Sequence, residues 1–107
     1  MNKQRVIEKR ILAQHRIIAD RLRADPEKVL SHARKNLVRW AAAYSNQQRP
    51  HWMNEWAVLL DKPIVELIAV LTADTENARR LRSSSPFAGI VSPRERWAIC
   101  RDIKDDA

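Results

Sequence analysis

Arginine is the side chain with the clearest chemical use in this sequence, and five arginines gather in its last third. Arg79, Arg80 and Arg82 fall within four residues, and Arg94 and Arg96 follow after a short connection. Guanidinium groups bind carboxylates and phosphates through paired hydrogen bonds. The cluster therefore predicts recognition of an anionic partner.

Two aromatic residues lie among these arginines and could anchor an interface. Aromatic and arginine side chains are enriched among the residues that dominate the affinity of protein–protein interfaces. We therefore predict a partner-binding site made of Arg79, Arg80, Arg82, Phe87, Arg94, Arg96 and Trp97.

No pattern of catalytic or metal-binding residues accompanies the arginines. The three histidines and Cys100 are scattered without the spacing of a metal site. A single cysteine in a helical segment usually fills space in a core, and a chain with one glycine cannot form a glycine-rich phosphate loop. The sequence thus predicts a binding protein with no enzymatic activity, no metal and no cofactor.

A second basic region lies at the amino terminus. Residues 1–23 carry seven basic and two acidic side chains and so supply most of the net charge of +7. Such an excess of positive charge attracts nucleic acid or an acidic protein surface. An equal alternative is that these side chains form a helix face that only contacts solvent. The residues predicted to bind nucleic acid here are Lys3, Arg5, Lys9, Arg10 and Arg16.

The composition predicts an all-α fold in one domain. The chain has one glycine in 107 residues, whereas strands joined by tight turns need more glycine and asparagine. Apolar runs are too short to span a bilayer, and no signal peptide opens the sequence. Because Cys100 has no partner for a disulfide, we expect a cytoplasmic protein that does not enter membranes.

Apolar periodicity and capping residues predict a single small bundle of five to six helices, with a short last helix after a proline- and glycine-containing corner. Residues 1–23 are expected to form a basic helix that a partner could order, and residues 24–107 a helical core domain. The segment 64–71 is apolar on nearly every side, so it is expected to be the central buried helix. Further helices are predicted over 26–44, 50–60, 75–82 and 93–103.

The corner at residues 83–92 joins the last two helices. It contains the only glycine, Gly89, which indicates a turn with positive φ, and it ends in a capping box formed by Ser92 and Glu95. We expect changes at Gly89 to impair folding, whereas changes at Arg80 or Arg82 should impair partner binding.

A helix-turn-helix unit is an alternative use of the same arginines. Residues 64–71 would form its first helix, 72–74 its turn and 75–82 its recognition helix, which carries groove-competent side chains. The turn lacks the usual glycine, and only Ala78 and Leu81 could anchor the recognition helix. Despite these two departures, the alternative function that we consider is a DNA-binding transcriptional regulator. It would use either the 75–82 helix or the basic N-terminal helix.

Several phrases of the sequence resemble a group of small helical bacterial proteins encoded beside toxin genes. The phrases are HRxIAxxLRxDP at 15–26, ARxNLxRW at 33–40, EWxxLL at 55–60, ExARRLRxSSPFAG at 76–89 and ERWxI at 95–99. The 76–89 phrase is the most specific. The neighbouring genes of this group often encode nucleotidyltransferase-type toxins of the abortive-infection kind.

This resemblance implies an antitoxin-like protein that neutralises a cognate toxin by direct contact and that could also bind its own operator DNA. An antitoxin needs a surface that covers another protein's catalytic cleft and needs no active site of its own. Nucleotidyltransferase clefts carry carboxylates for metal binding, so arginines presented by a helix would complement such a cleft.

Overall fold

The computed structural model describes residues 2–104, and its six helices confirm the predicted all-α fold. The helices are α1 (Lys3–Ala24), α2 (Pro26–Ala41), α3 (His51–Leu60), α4 (Ile64–Thr72), α5 (Glu76–Arg82) and α6 (Pro93–Asp102). Met1 and residues 105–107, which the predicted domains include, lie outside the described range. Helix α2 ends three residues earlier than predicted, since residues 42–49 are all exposed and no packing holds them in a helix.

Side-chain caps fix the starts of four helices. Asn2, Asp25, Thr75 and Ser92 each accept a hydrogen bond from a backbone N–H of the first turn that follows. The capping box is formed as predicted: the Glu95 N–H donates to Ser92 Oγ at 3.1 Å, and the Ser92 N–H donates to Glu95 Oε1 at 2.9 Å. These bonds satisfy amide groups that a helix leaves unpaired at its start.

The first helix, and not α4, lies at the centre of the packing. Helix α1 contacts α2, α4, α5 and α6, and its buried face includes Val6, Ile18 and Leu22. Helix α4 buries only one face, and its Val65 side chain is 80% exposed. The expectation that α4 is the central helix was wrong. A helix with apolar residues on all sides is buried on all sides only if other helices surround it. Residues 3–24 share one core with the helices that follow.

The aromatic centre of that core joins α3 to the corner at 83–92. Trp56 is fully buried and meets the Phe87 ring edge-on, with ring centroids 6.0 Å apart. Its Nε1–H donates to the Leu81 carbonyl at 3.1 Å. A buried indole is stable only if this polar group has a partner, so Trp56 fixes the end of α5 relative to α3.

Polar side chains of α2 hold the corner in place. Asn36 Nδ2 donates to the carbonyls of Pro86 and Ala88 at 2.8 and 3.0 Å, and His32 Nε2 donates to the Ala88 carbonyl at 2.7 Å. Gly89 has φ of +92°, and a Cβ there would lie 3.0 Å from His32 Nε2. The backbone conformation therefore favours glycine at this position, and any larger residue would also have to displace the His32 ring slightly.

Arginine side chains cap the C-terminal ends of three helices. Arg34 donates to the Leu60 carbonyl at the end of α3, Arg82 to the Ala73 carbonyl after α4, and Arg10 to the Ile103 carbonyl after α6. Helices commonly end with a left-handed glycine, but Gly89 is the only residue with positive φ in residues 2–104. The guanidinium groups thus satisfy carbonyls that a glycine cap would otherwise serve.

Candidate partner-binding site

The arginines of α5 point in different directions and already have partners within the protein. Arg80 makes two hydrogen bonds with Glu55, at 2.9 and 2.7 Å, and they hold the pKa of the Glu55 carboxyl below its usual value. Arg79 bonds to Asp74 at 2.7 Å and lies 3.9 Å from Glu8. Binding a partner through either guanidinium would first require these pairs to break.

Two residues of the predicted site are inside the fold, which revises their predicted role. Arg82 and Phe87 are only 3% and 1% exposed. Arg82 Nη1 lies within hydrogen-bonding distance of the carbonyls of Val70, Leu71 and Ala73, and burial lowers the pKa of its guanidinium. Neither side chain is available to a partner, because both complete the protein's own packing.

The outer face of α6 carries the exposed part of the predicted site. Trp97 is 64% exposed, and the Arg101 guanidinium lies 5.3 Å from the centre of its ring, at cation–π distance. Arg94, one turn before Trp97, is also exposed. Spacings of three and four residues place all three side chains on one side of the helix. We call Arg94, Trp97 and Arg101 the α6 ridge.

Arg101 was absent from the sequence prediction, although its spacing from Trp97 could have indicated it. Arg96, which was predicted, does not belong to the ridge. It lies at a separate cavity of about 210 Å³, which Arg82 and His15 also line. The structure therefore brings together two of the seven predicted residues and adds one.

Contacts with α1 and the corner hold α6 firmly in position. Arg21 bonds both to the Glu95 carboxylate and to the Ile90 carbonyl. The hydrogen bond from Arg21, together with the Ser92 N–H, lowers the pKa of Glu95 to about 2. Ile99 is buried beneath the helix. The ridge is thus presented by a fixed helix, which reduces the entropy lost on binding.

Searches with protein-family models, curated proteins and solved structures gave no match to this chain.

The basic residues predicted to bind nucleic acid lie along α1. Lys3, Arg5, Lys9 and Arg16 are exposed. Arg10 is partly buried and donates to the carbonyls of Ile103 and Cys100, so it serves the end of α6. Four of the five predicted side chains are therefore accessible to a ligand.

The candidate recognition helix is less suited to DNA than the sequence suggested. It is the seven-residue α5, whose Arg79 and Arg80 are paired with carboxylates and whose Arg82 is buried. A recognition helix reads bases with side chains that are free to enter the groove. The arrangement favours α1 over α5 as the location of any DNA contact.

Within residues 2–104, no group of three His, Cys, Asp or Glu side chains could hold a metal ion. Across the same residues, no helix combines the length and apolar character that crossing a bilayer requires.

His15, which no functional prediction included, is buried with a single hydrogen bond. It is 5% exposed, and its Nδ1–H donates to the Ile11 carbonyl at 2.7 Å, while Nε2 has no partner. Burial lowers the pKa of its imidazole to about 4, and the charge of nearby Arg82 acts in the same direction. The ring is therefore neutral in the folded protein at neutral pH.

This burial predicts a loss of stability in mild acid. Unfolded His15 takes up a proton below pH ~6.5, whereas the folded protein resists protonation down to about pH 4. Stability is therefore lost as the pH falls through this window, by about 3 kcal/mol in total. Urea unfolding at a series of pH values should show this loss, and His15→Leu should flatten the profile between pH ~6.5 and ~5.

The exposed His51 provides the matched control for this measurement. His51→Gln, which leaves His15 in place, should retain the loss of stability between pH ~6.5 and ~5. An equal slope in the unmodified protein and His15→Leu would contradict the assignment to His15. Below pH ~4.5 the carboxylates of Glu55 and Glu95, whose pKa values are lowered by arginine partners, add their own losses.

Proposed function

We propose that this chain is an antitoxin-like binding protein that neutralises a cognate toxin by direct contact through the α6 ridge. The observation that carries the proposal is the exposure of Trp97, 64%, between two arginines on a fixed helix. Tryptophan and arginine are the residue types most enriched in interface hot spots. The sequence resemblance supports a toxin as the partner.

The charge of the ridge fits an acidic partner surface. Arg94 makes no ion pair within residues 2–104, and Arg101 has only its exposed neighbour Asp102, at 3.5 Å. Partner carboxylates could therefore bind both guanidinium groups without breaking a buried contact. A nucleotidyltransferase cleft, which holds carboxylates for metal binding, would be complementary to this surface and would be closed by it.

The Trp97→Ala variant tests the proposal. We expect it to bind the product of the adjacent gene at least about 30-fold more weakly than the unmodified protein, because removal of a hot-spot side chain costs about 2 kcal/mol or more. Affinity would be measured by calorimetry, and growth rescue by co-expression with the toxin. Arg94→Gln and Arg101→Gln should weaken binding to a smaller extent.

Val65→Ala is the matched control, since Val65 is also an exposed apolar side chain and lies on another helix. It should bind the toxin normally. No complex between the unmodified protein and the neighbouring gene product, together with no growth rescue, would refute the proposed function. Equal binding by the Trp97→Ala and unmodified proteins would place the interface elsewhere.

Operator DNA is a second candidate ligand, favoured by the exposed basic side chains of α1, which include Lys3, Arg5, Lys9 and Arg16. A mobility-shift assay over a range of salt concentrations separates the two functions. Binding driven by phosphate contacts must weaken steeply as salt is added. DNA binding of this kind without any toxin complex would favour the regulator.

A further inference from the structure

A basic groove of about 540 Å³ lies between α1 and α5, and Ile103 is also among its lining residues. Its volume falls within the range of small-molecule sites in proteins, about 300 to 1,000 Å³. We call it the α1 groove. The basic residues that line it are Arg5, Lys9, Arg16, Arg79 and Arg82.

Within residues 2–104, acidic side chains neutralise only part of the positive charge of the α1 groove. Two acidic residues, Glu8 and Asp74, also line it, and both contact Arg79. The side chains of Arg5, Lys9 and Arg16 form no ion pair or hydrogen bond with another residue in the range 2–104; the Arg5 contact with Asn2 involves its backbone N–H. The groove therefore has three positive side chains available to a ligand.

These three side chains are arranged in a row. Arg5, Lys9 and Arg16 follow one another at intervals of four and seven residues, which places them on one face of α1. The helical rise separates them by about 6 and about 10 Å along the axis. A compact anion could reach one or two of them, whereas an elongated anion with several charges could contact all three.

Arg82 also lines the groove, but it is only 3% exposed and its Nη1 donates to the Ala73 carbonyl at 2.7 Å. Arg82 therefore remains part of the protein's own packing. The exposed cations of the groove are Arg5, Lys9 and Arg16.

We propose that the α1 groove binds a linear polyphosphate group, of the kind carried by a nucleoside triphosphate. Phosphate oxygens accept hydrogen bonds from guanidinium and ammonium groups, and a chain of phosphates extends along a row of cations. Leu12 and Ala13 form the apolar part of the lining, against which the uncharged part of the ligand can pack. The groove is concave, with α1 on one side and α5 on the other, so it suits a small ligand better than it suits duplex DNA, which needs an outward-facing surface.

Inorganic triphosphate, titrated calorimetrically into the full chain at constant ionic strength, tests the proposal. We expect binding that weakens in the order triphosphate, pyrophosphate, phosphate, with sulfate no better than phosphate. Arg16→Gln and Arg5→Gln should each weaken triphosphate binding by about tenfold or more, the effect of losing one charge-assisted hydrogen bond. Adenosine triphosphate should bind at least as tightly as inorganic triphosphate, because of the apolar contact.

Arg49→Gln is the matched control, because it removes the same charge from an exposed loop outside the groove. It should leave triphosphate binding unchanged. Equal weakening by Arg49→Gln and Arg16→Gln would overturn the proposal, since attraction would then depend on net charge alone. Equal affinity for sulfate and triphosphate would also overturn the proposal. Binding of duplex DNA without any binding of triphosphate at concentrations up to about 1 mM would overturn it as well. Toxin binding through the α6 ridge is measured separately, so either proposal can fail while the other holds.

Discussion

The Arg82→Met variant should be less stable than the unmodified protein by about 3 kcal/mol. Methionine can occupy the buried space, but it cannot donate to the carbonyls of Val70, Leu71 and Ala73. The bond to Leu71 is buried, and leaving its carbonyl without a donor costs about 1–3 kcal/mol. The bonds to Val70 and Ala73 are part-buried and cost less to lose. Removal of a buried charge offsets part of the total. Urea unfolding followed by circular dichroism would measure the difference.

Arg80→Met is the matched control, because it removes the same charge from the same short helix. Arg80 is exposed and paired with Glu55, and exposed ion pairs contribute about 0–1 kcal/mol. The Arg82→Lys variant should lose about as much stability as Arg82→Met, because one ammonium group cannot reach the same carbonyls as a guanidinium. Equal destabilisation by Arg80→Met and Arg82→Met would show that Arg82 does not have the structural role assigned to it.

The Trp56→Ala variant should lose about 3–5 kcal/mol of stability, as expected for removal of a large buried aromatic side chain. The substitution leaves a cavity against Phe87 and an unpaired carbonyl at Leu81. Small domains are stable by about 5–15 kcal/mol in total, so the variant should unfold at much lower urea concentrations. The midpoint of urea unfolding is the measurement.

Two substitutions control for the separate contributions of Trp56. Trp56→Phe keeps most of the ring but loses the bond to Leu81, so it should lose about 1–3 kcal/mol. Trp97→Ala, which removes an exposed tryptophan, should stay within about 0.5 kcal/mol of the unmodified protein. A large loss of stability in Trp97→Ala would show that its effect on toxin binding reflects misfolding.

Local features of the fold were predictable because they depend on residues close in sequence. Asp25 before Pro26 marks the start of α2, and the Ser92–Glu95 pair marks the start of α6. Gly89 was expected to adopt positive φ and does so. In each case the hydrogen bond or backbone conformation involves only residues within one turn of the chain.

The roles of the arginines were not predictable, because their partners are brought near only by folding. Arg80 and Arg82 are two residues apart in the sequence, yet Arg80 is exposed and Arg82 is only 3% exposed. The carbonyls that Arg82 binds become available only where α4 ends against α5. Likewise, the sequence did not indicate that α1 would turn Val6 inward and leave Ile7 46% exposed.

At two helix ends, the carbonyl accepts a hydrogen bond from an arginine that is distant in the sequence. The side chain at the end of α6 comes from Arg10, 93 positions before the carbonyl that it binds, and the one at the end of α3 comes from Arg34, 26 positions before. A glycine cap, by contrast, forms as soon as its own helix does. The carbonyls at these two helix ends therefore gain an arginine partner only when another helix has docked, and the bond from Arg10 to Ile103 links the two ends of the folded chain.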